Sequence, residues 1–151
     1  MSGNRSDASK MTAFQQPYSE KLHMSKIEIK TDNAPKAIGP YSQAIKARCT
    51  EMLFVSGQIP MSPETQQQVG DNAGDQTVQV LKNLQGALKA GGAELSHVVK
   101  TTIFVKSMDD FAAVNKAYGE FFSEPYPARA TVEVSRLPKD VLVEIDAIAM
   151  L

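Results

Sequence analysis

Apolar positions along the chain fall into short alternating runs and two helical stripes. Residues 26–30 alternate weakly, which predicts an edge strand, and Ala34-Pro35 and Gly39-Pro40 mark a loop after it. Residues 45–47 and 52–59 predict a hairpin that turns near Cys49-Thr50-Glu51. An irregular loop follows over 60–73, with Pro60, Pro63 and Gly70. Val78, Leu81, Leu84 and Leu88 then recur at helical spacing, and Gly91-Gly92 supplies a helix stop. Residues 98–105 are β-branched and strand-like. Ser107-Met108-Asp109-Asp110 resembles a capping box with Asp110 in the usual place of Glu. It opens a second helix with Phe111, Val114, Tyr118 and Phe121 or Phe122 inward. Two strand patterns around Leu137-Pro138-Lys139-Asp140 finish the chain, so the order is strand, strand, strand, helix, strand, helix, strand, strand: an α+β domain.

The alternation also bears on assembly. On 98–105, Val99, Ile103 and Val105 share one side, and Val98, Thr102 and Phe104 the other. On 128–134, Arg129, Thr131 and Glu133 oppose Ala128, Ala130, Val132 and Val134. On 141–149, Leu142, Glu144, Asp146 and Ile148 oppose Val143, Ile145, Ala147 and Ala149. Two helices cover one side of such a sheet and leave the other bare. The bare side, expected to hold Phe104, Ile148, Arg129 and Glu144, suits burial against another subunit. A one-residue slip in register would exchange the sides.

With 151 residues the chain is long enough for one domain with a real core. Residues 1–24 are set apart: polar, aperiodic and without the apolar stretch of a secretory signal, they read as an expression tag or extension before a domain over 25–151. A net charge of −1 lacks the concentrated basic face that nucleic acid demands. No apolar run approaches membrane-spanning length. The single Cys49 forms no internal disulfide, which points to a reducing compartment, the cytoplasm or the mitochondrial matrix. One thiol and two histidines, His23 and His97, make no zinc constellation, and no phosphate or dinucleotide motif is present, so neither metal nor cofactor is expected.

The candidate chemistry lies in the last two strands. Arg129 sits on an apolar strand pattern, where a permanent cation is costly unless something pairs with it. Glu144 and Asp146 sit among aliphatics on the next pattern, expected to be the neighbouring strand. These charges form either a structural salt bridge, Arg129 with Glu133 or Glu144, or an anion clamp beside a carboxylate that handles water. Asp146 is expected to serve the fold, paired with Lys100 or Arg129, and Ser42, without a nearby histidine, is expected to cap a turn.

Five segments together resemble one family. They are Gly39-Pro40-Tyr41-Ser42-Gln43-Ala44, Ser56-Gly57-Gln58-Ile59-Pro60, residues 98–105, Pro127-Ala128-Arg129, and residues 143–149. In order and spacing they are similar to the RidA family, also called YjgF or UK114, from about Lys26 to Met150. That resemblance implies a trimeric, chorismate-mutase-like α+β fold with clefts between subunits. It implies hydrolysis of reactive 2-imino acids such as 2-iminobutanoate and 2-iminopropanoate, with their enamine tautomers, to 2-oxo acids and ammonia. The family's carboxylate-gripping arginine falls on Arg129 and its acid near the hydrolytic water on Glu144. Its cleft tyrosine falls on Tyr41, its Ser-Gly backbone segment on Ser56 and Gly57, and an asparagine of the second helix on Asn115. Deaminase members usually carry a cysteine two residues after the arginine; here that position is Thr131.

A 2-imino acid needs little from a protein: a bidentate grip on its carboxylate, a positioned water and a route for protons. The expectation is therefore a cofactor-independent deaminase. The rival readings are a trimeric metabolite-binding or chaperone-like protein without turnover, and the RNA cleavage or translation inhibition to which the family has been linked.

Overall fold

The computed structural model describes residues 24–151. The tag or extension expected over residues 1–24 lies, apart from Met24, outside the described residues. Six strands and two α-helices follow in the order that the pattern predicts. Strands β1 (Ser25–Ile29) and β2 (Ala44–Arg48) pair antiparallel as a ribbon. Strands β3 (Met52–Gln58), β4 (Val98–Val105), β5 (Ala128–Glu133) and β6 (Val143–Met150) form a mixed sheet in the order β3-β6-β4-β5.

Helix α1 (Ala73–Ala90) is bounded by chemistry that the sequence carries. The Asn72 side chain accepts from the Asp75 N–H at 2.9 Å, and the Gly91-Gly92 stop forms as expected. Gly92 adopts φ +80°, its N–H donates to Lys89 O, and the Ala93 N–H donates to Leu88 O at 2.8 Å. This is a Schellman motif, and the left-handed turn is why glycine stands there. Val80, Leu81, Leu84 and Leu88 are fully buried against Val98, Ile103, Val105, Val143 and Ile145 of the sheet. Truncating one of these leucines to alanine costs about 2–5 kcal/mol. Val80 rather than the expected Val78 holds the inward position. Gln76, buried in the same stripe, donates to Gly70 O at 3.1 Å and accepts from the Leu142 N–H at 2.8 Å. It ties the 60–72 loop to the start of β6.

Helix α2 (Phe111–Phe121) bridges β4 and β5, which pair in parallel. Ser107 does cap its approach, but by accepting from the Asp109 N–H within a short 3₁₀ turn. Val114, Ala117 and Tyr118 turn inward.

Three expectations are corrected. The hairpin over 45–59 does not form, because β2 pairs with β1 and β3 pairs with β6. Strands β5 and β6 are not neighbours, because β4 lies between them and pairs with both. The third concerns β4, where a bulge between Val98 and Lys100 inserts one residue. Val98 therefore joins Thr101, Ile103 and Val105 on the helix side, and Lys100, Thr102 and Phe104 point to the open side.

Candidate functional site

The register of β4 against β5 decides where the arginine goes. Thr101 pairs with Arg129, Ile103 with Thr131 and Val105 with Glu133, so these three β5 side chains face the helices. The open side instead takes Ala128, Ala130 and Val132 from β5, with Thr102, Phe104, Glu144, Asp146 and Ile148. The expectation that Arg129 and Glu144 share the bare side is thus wrong. They lie on opposite sides of the sheet and two strands apart, and Asp146 is likewise across the sheet from Arg129.

Around Arg129 the chain gathers aromatic rings in place of acids. Its Cζ lies 5.0 Å from the centroid of Tyr118, 5.2 Å from that of Tyr41 and 5.9 Å from that of Phe111. Rings at this range attract a guanidinium through their quadrupoles, by about 0.5–2 kcal/mol each. Neither salt bridge found among the described residues, Lys30–Glu28 or Arg136–Asp140, involves Arg129. The ion pair with Glu133 or Glu144 is absent, and Glu133 instead accepts from the Met108 N–H at 2.8 Å. Burial pushes the Arg129 pKa down, and Tyr118 and Tyr41 oppose that push; an arginine nonetheless keeps its charge.

Polar groups without partners collect beside it. Arg129 Nη1, Asn115 Oδ1 and Thr131 Oγ1 are buried and make no hydrogen bond among the described residues. Each such group costs about 1–3 kcal/mol, so three around one cation mark a place not arranged for stability alone. Asn115 reaches the arginine from α2, one turn after Phe111. A Cβ built on Gly39 would lie 3.1 Å from Asn115 Nδ2 and 3.6 Å from Arg129 Nη2, so the loop presses closely on both. Gln43 holds that loop by accepting from the Thr31 N–H and donating to Thr31, Ala34 and Pro35 carbonyls at 2.7–3.1 Å. Ser42 is buried and donates to Tyr126 O at 2.6 Å, a structural bond to a distant segment in place of the expected turn cap. A groove of about 810 Å³ runs past Tyr41, Gly39 and Tyr126.

The remaining candidates form a second group on the open side. The β3–β6 ladder shifts register between Val55 and Gln58, so Ser56 and Gly57 occupy a bulge. The Glu144 carboxylate lies directly over Gly57, where any Cβ would collide with it. Glycine permits this close approach; a larger residue would push the carboxylate off its position. Burial, and then the neighbouring Asp146, push the Glu144 pKa above its ordinary value. Asp146 itself accepts from the Thr102 N–H at 3.0 Å. Lys100 has its pKa lowered by burial against the pull of Asp146, and donates to Thr101 O at 2.9 Å.

Sequence reasoning set Phe111 and Tyr118 aside as core and so missed the rings under the arginine. The signal was present: positions 111, 115 and 118 lie on one helical face, so the residue that points Asn115 at the site points the two rings there as well. No group of three or more metal-ligating side chains occurs among the described residues.

The arrangement offers a guanidinium without an acidic partner among the described residues in one place and, in another, a carboxylate of raised pKa beside exposed backbone. A small molecule cannot touch both in one chain.

Comparison with known proteins was consistent and broad. A family model described as Endoribonuclease L-PSP matches residues 31–151. A RutC family protein of Pyrococcus horikoshii is 56% identical over 119 residues, covering 79% of this chain and 93% of its own. The chloroplastic Reactive Intermediate Deaminase A of Arabidopsis thaliana is 48% identical, covering 82% of this chain and 65% of its own. The crystal structure of E. coli TdcF with bound serine superposes with a TM-score of 0.63 at 41% identity, covering 83% of this chain and 98% of that one.

Proposed function

Because the chain belongs to the RidA/YjgF family, whose α+β fold it shares, we propose that it hydrolyses reactive 2-imino acids to 2-oxo acids and ammonia. The observation that carries the reading is the state of Arg129: a half-buried cation beside aromatic rings, with no carboxylate partner among the described residues. Such a guanidinium keeps its bidentate fork for an incoming carboxylate. Two relatives support the choice of ligand. TdcF holds serine, a small carboxylate, and the Arabidopsis protein is named a reactive intermediate deaminase.

In the proposed mechanism Arg129 binds the substrate carboxylate and so fixes the C=N carbon. The protonated imine is already electrophilic, so neither a covalent intermediate nor a metal is required. Glu144 orients water and takes its proton as oxygen bonds to that carbon. Its raised pKa brings it closer to the working pH than an ordinary carboxylate. The resulting carbinolamine collapses as its nitrogen takes the proton back from Glu144, the C–N bond breaks to release ammonia, and the hydroxyl gives up its proton to the carboxylate as the C=O of the 2-oxo acid forms. Asn115, Thr131 and Tyr41 line the arginine's side, and Ser56 and Gly57 the glutamate's.

This chemistry needs the two groups together, which one chain does not provide. We therefore place the reaction in clefts of a homotrimer, where the Arg129 side of one subunit meets the Glu144 side of the next. The open sheet side supports assembly: Phe54 is 68% exposed and Val132 42%, with Phe104 and Ile148 beside them.

The test is release of 2-oxobutanoate from 2-iminobutanoate generated in situ, with uncatalysed hydrolysis subtracted. Wild type is expected to accelerate release. Arg129→Ala is expected to lose about 10³-fold in kcat/KM, the scale of a desolvated charge-assisted pair, with assembly kept and only a modest change in Tm, because the ring contacts it gives up are offset by removing an unpartnered N–H. Near-normal rates in that variant would remove the anion grip. Carboxylate binding without ammonia release would instead favour a binding module.

A further inference from the structure

We propose that Tyr118 is a positioning residue for Arg129, its ring serving as an uncharged floor that holds the guanidinium without neutralising it. The inference rests on the reading of Arg129 as the anion grip, and it assigns a role to a residue that helical periodicity alone would leave in the core.

Three elements meet at this point. Thr101 of β4 and Arg129 of β5 are register partners. The Thr101 hydroxyl lies 2.9 Å from the Tyr118 hydroxyl, so the strand pair that places the arginine also anchors the ring beneath it. Tyr118 also stacks on Phe122, with centroids 4.4 Å apart. The ring is fully buried and has little room to turn. Among the three rings near Arg129 it is the nearest, at 5.0 Å.

The chemistry explains why a ring serves better than an acid here. A carboxylate in this place would hold the arginine more strongly, but it would occupy the N–H groups and cancel the charge that a substrate carboxylate needs. An aromatic face attracts the cation and takes none of its in-plane N–H donors. The unpartnered Nη1 is what this arrangement leaves behind. Tyr118 also stays a neutral phenol: burial pushes its pKa up to about 12, despite the Thr101 bond and the Arg129 charge, which pull it down. A phenolate would act as the very counter-ion that the site avoids.

The ring, and not the hydroxyl, is the operative part, so two substitutions separate the cases. Steady-state kinetics with 2-iminobutanoate is run beside calorimetric binding of 2-oxobutanoate, a carboxylate that does not turn over. Tyr118→Leu is expected to raise KM and the 2-oxobutanoate Kd about tenfold, with kcat changed by less than about threefold; Tyr41 and Phe111 still attract the cation, which limits the loss. Tyr118→Phe is expected to stay within about twofold of wild type on both. Wild-type affinity in the leucine variant would overturn the proposal, as would an equal loss in the phenylalanine variant.

If Tyr118→Leu does not fold, wild type and Tyr118→Phe still decide the matter. The NMR resonance of Arg129 Nε–H is expected to be shifted by the ring current in both, and a random-coil position would overturn the proposal. Wild type that neither turns over the imine nor binds 2-oxobutanoate would overturn the deaminase reading; the Nε–H shift would still decide whether the ring holds the guanidinium.

Discussion

The two sides of the sheet solve different problems with similar materials. On the helix side, Arg129 is enclosed by rings and by polar groups whose hydrogen bonds are unmade. On the open side, Glu144 rests over a bulged glycine beside Asp146, Lys100 and an apolar surface that the described residues do not cover. On the proposed reading each side carries half of the chemistry that imine hydrolysis needs, and each is costly for a lone chain. An unpaired cation and an uncovered apolar face both make sense when a second subunit supplies what is missing.

The largest expected break in this pairing comes from the open side. Phe54→Asp places a charge in the surface proposed for subunit contact and is expected to convert the proposed trimer to monomer by size-exclusion chromatography with light scattering. Activity should fall with it to the level of Arg129→Ala, although neither candidate group has been touched. A trimeric Phe54→Asp protein would separate the apolar surface from assembly.

Glu144→Gln ranks next. It keeps the size of the side chain and removes its basicity, so kcat is expected to fall about 10²-fold, the lower range for a general base. The pH profile sharpens the assignment. The carboxylate must be ionised to accept a proton from water, so activity is lost as pH falls through the folded pKa. That pKa is raised, by burial first and Asp146 second, so the acid limb should lie above the ordinary carboxylate range. In Glu144→Gln the limb should vanish. If it persists, another group owns it.

Thr131→Cys is the smallest expected change. The Thr131 hydroxyl makes no bond among the described residues, so restoring the family's usual residue removes no contact within the chain. The ratio of kcat/KM for 2-iminobutanoate over 2-iminopropanoate is expected to move less than about fivefold, the scale of one neutral hydrogen bond. A larger swing would make position 131 the main selector of side-chain size.

How far the sequence reaches differs between the same two regions. The α1 stop at Gly92 and the Ser107 cap were legible, because each depends on a few adjacent residues. The partner of β2 was not, because strand pairing is fixed by contacts distant in sequence. The side of β4 was missed at Val98, where a single inserted residue breaks the alternation without altering the composition. The side of Arg129 was missed for another reason. Polarity assigns Arg129, Thr131 and Glu133 to the outside, yet parallel pairing with Thr101, Ile103 and Val105 turns them under the helices. The family resemblance named Arg129, Glu144 and Gly57, but only the coordinates divide them between the two sides of the sheet.

The central claim is that the working site is assembled from the arginine side of one chain and the glutamate side of another. The most direct test mixes Arg129→Ala and Glu144→Gln chains in equal amounts, unfolded and refolded together, and assays 2-oxobutanoate release. Each parent alone is nearly inactive. In a cyclic trimer, chance places an intact arginine opposite an intact glutamate at about a quarter of the clefts. Recovery of about a quarter of wild-type activity is the expected result. A mixture that stays at the level of its parents would contradict the account and return the whole site to a single chain.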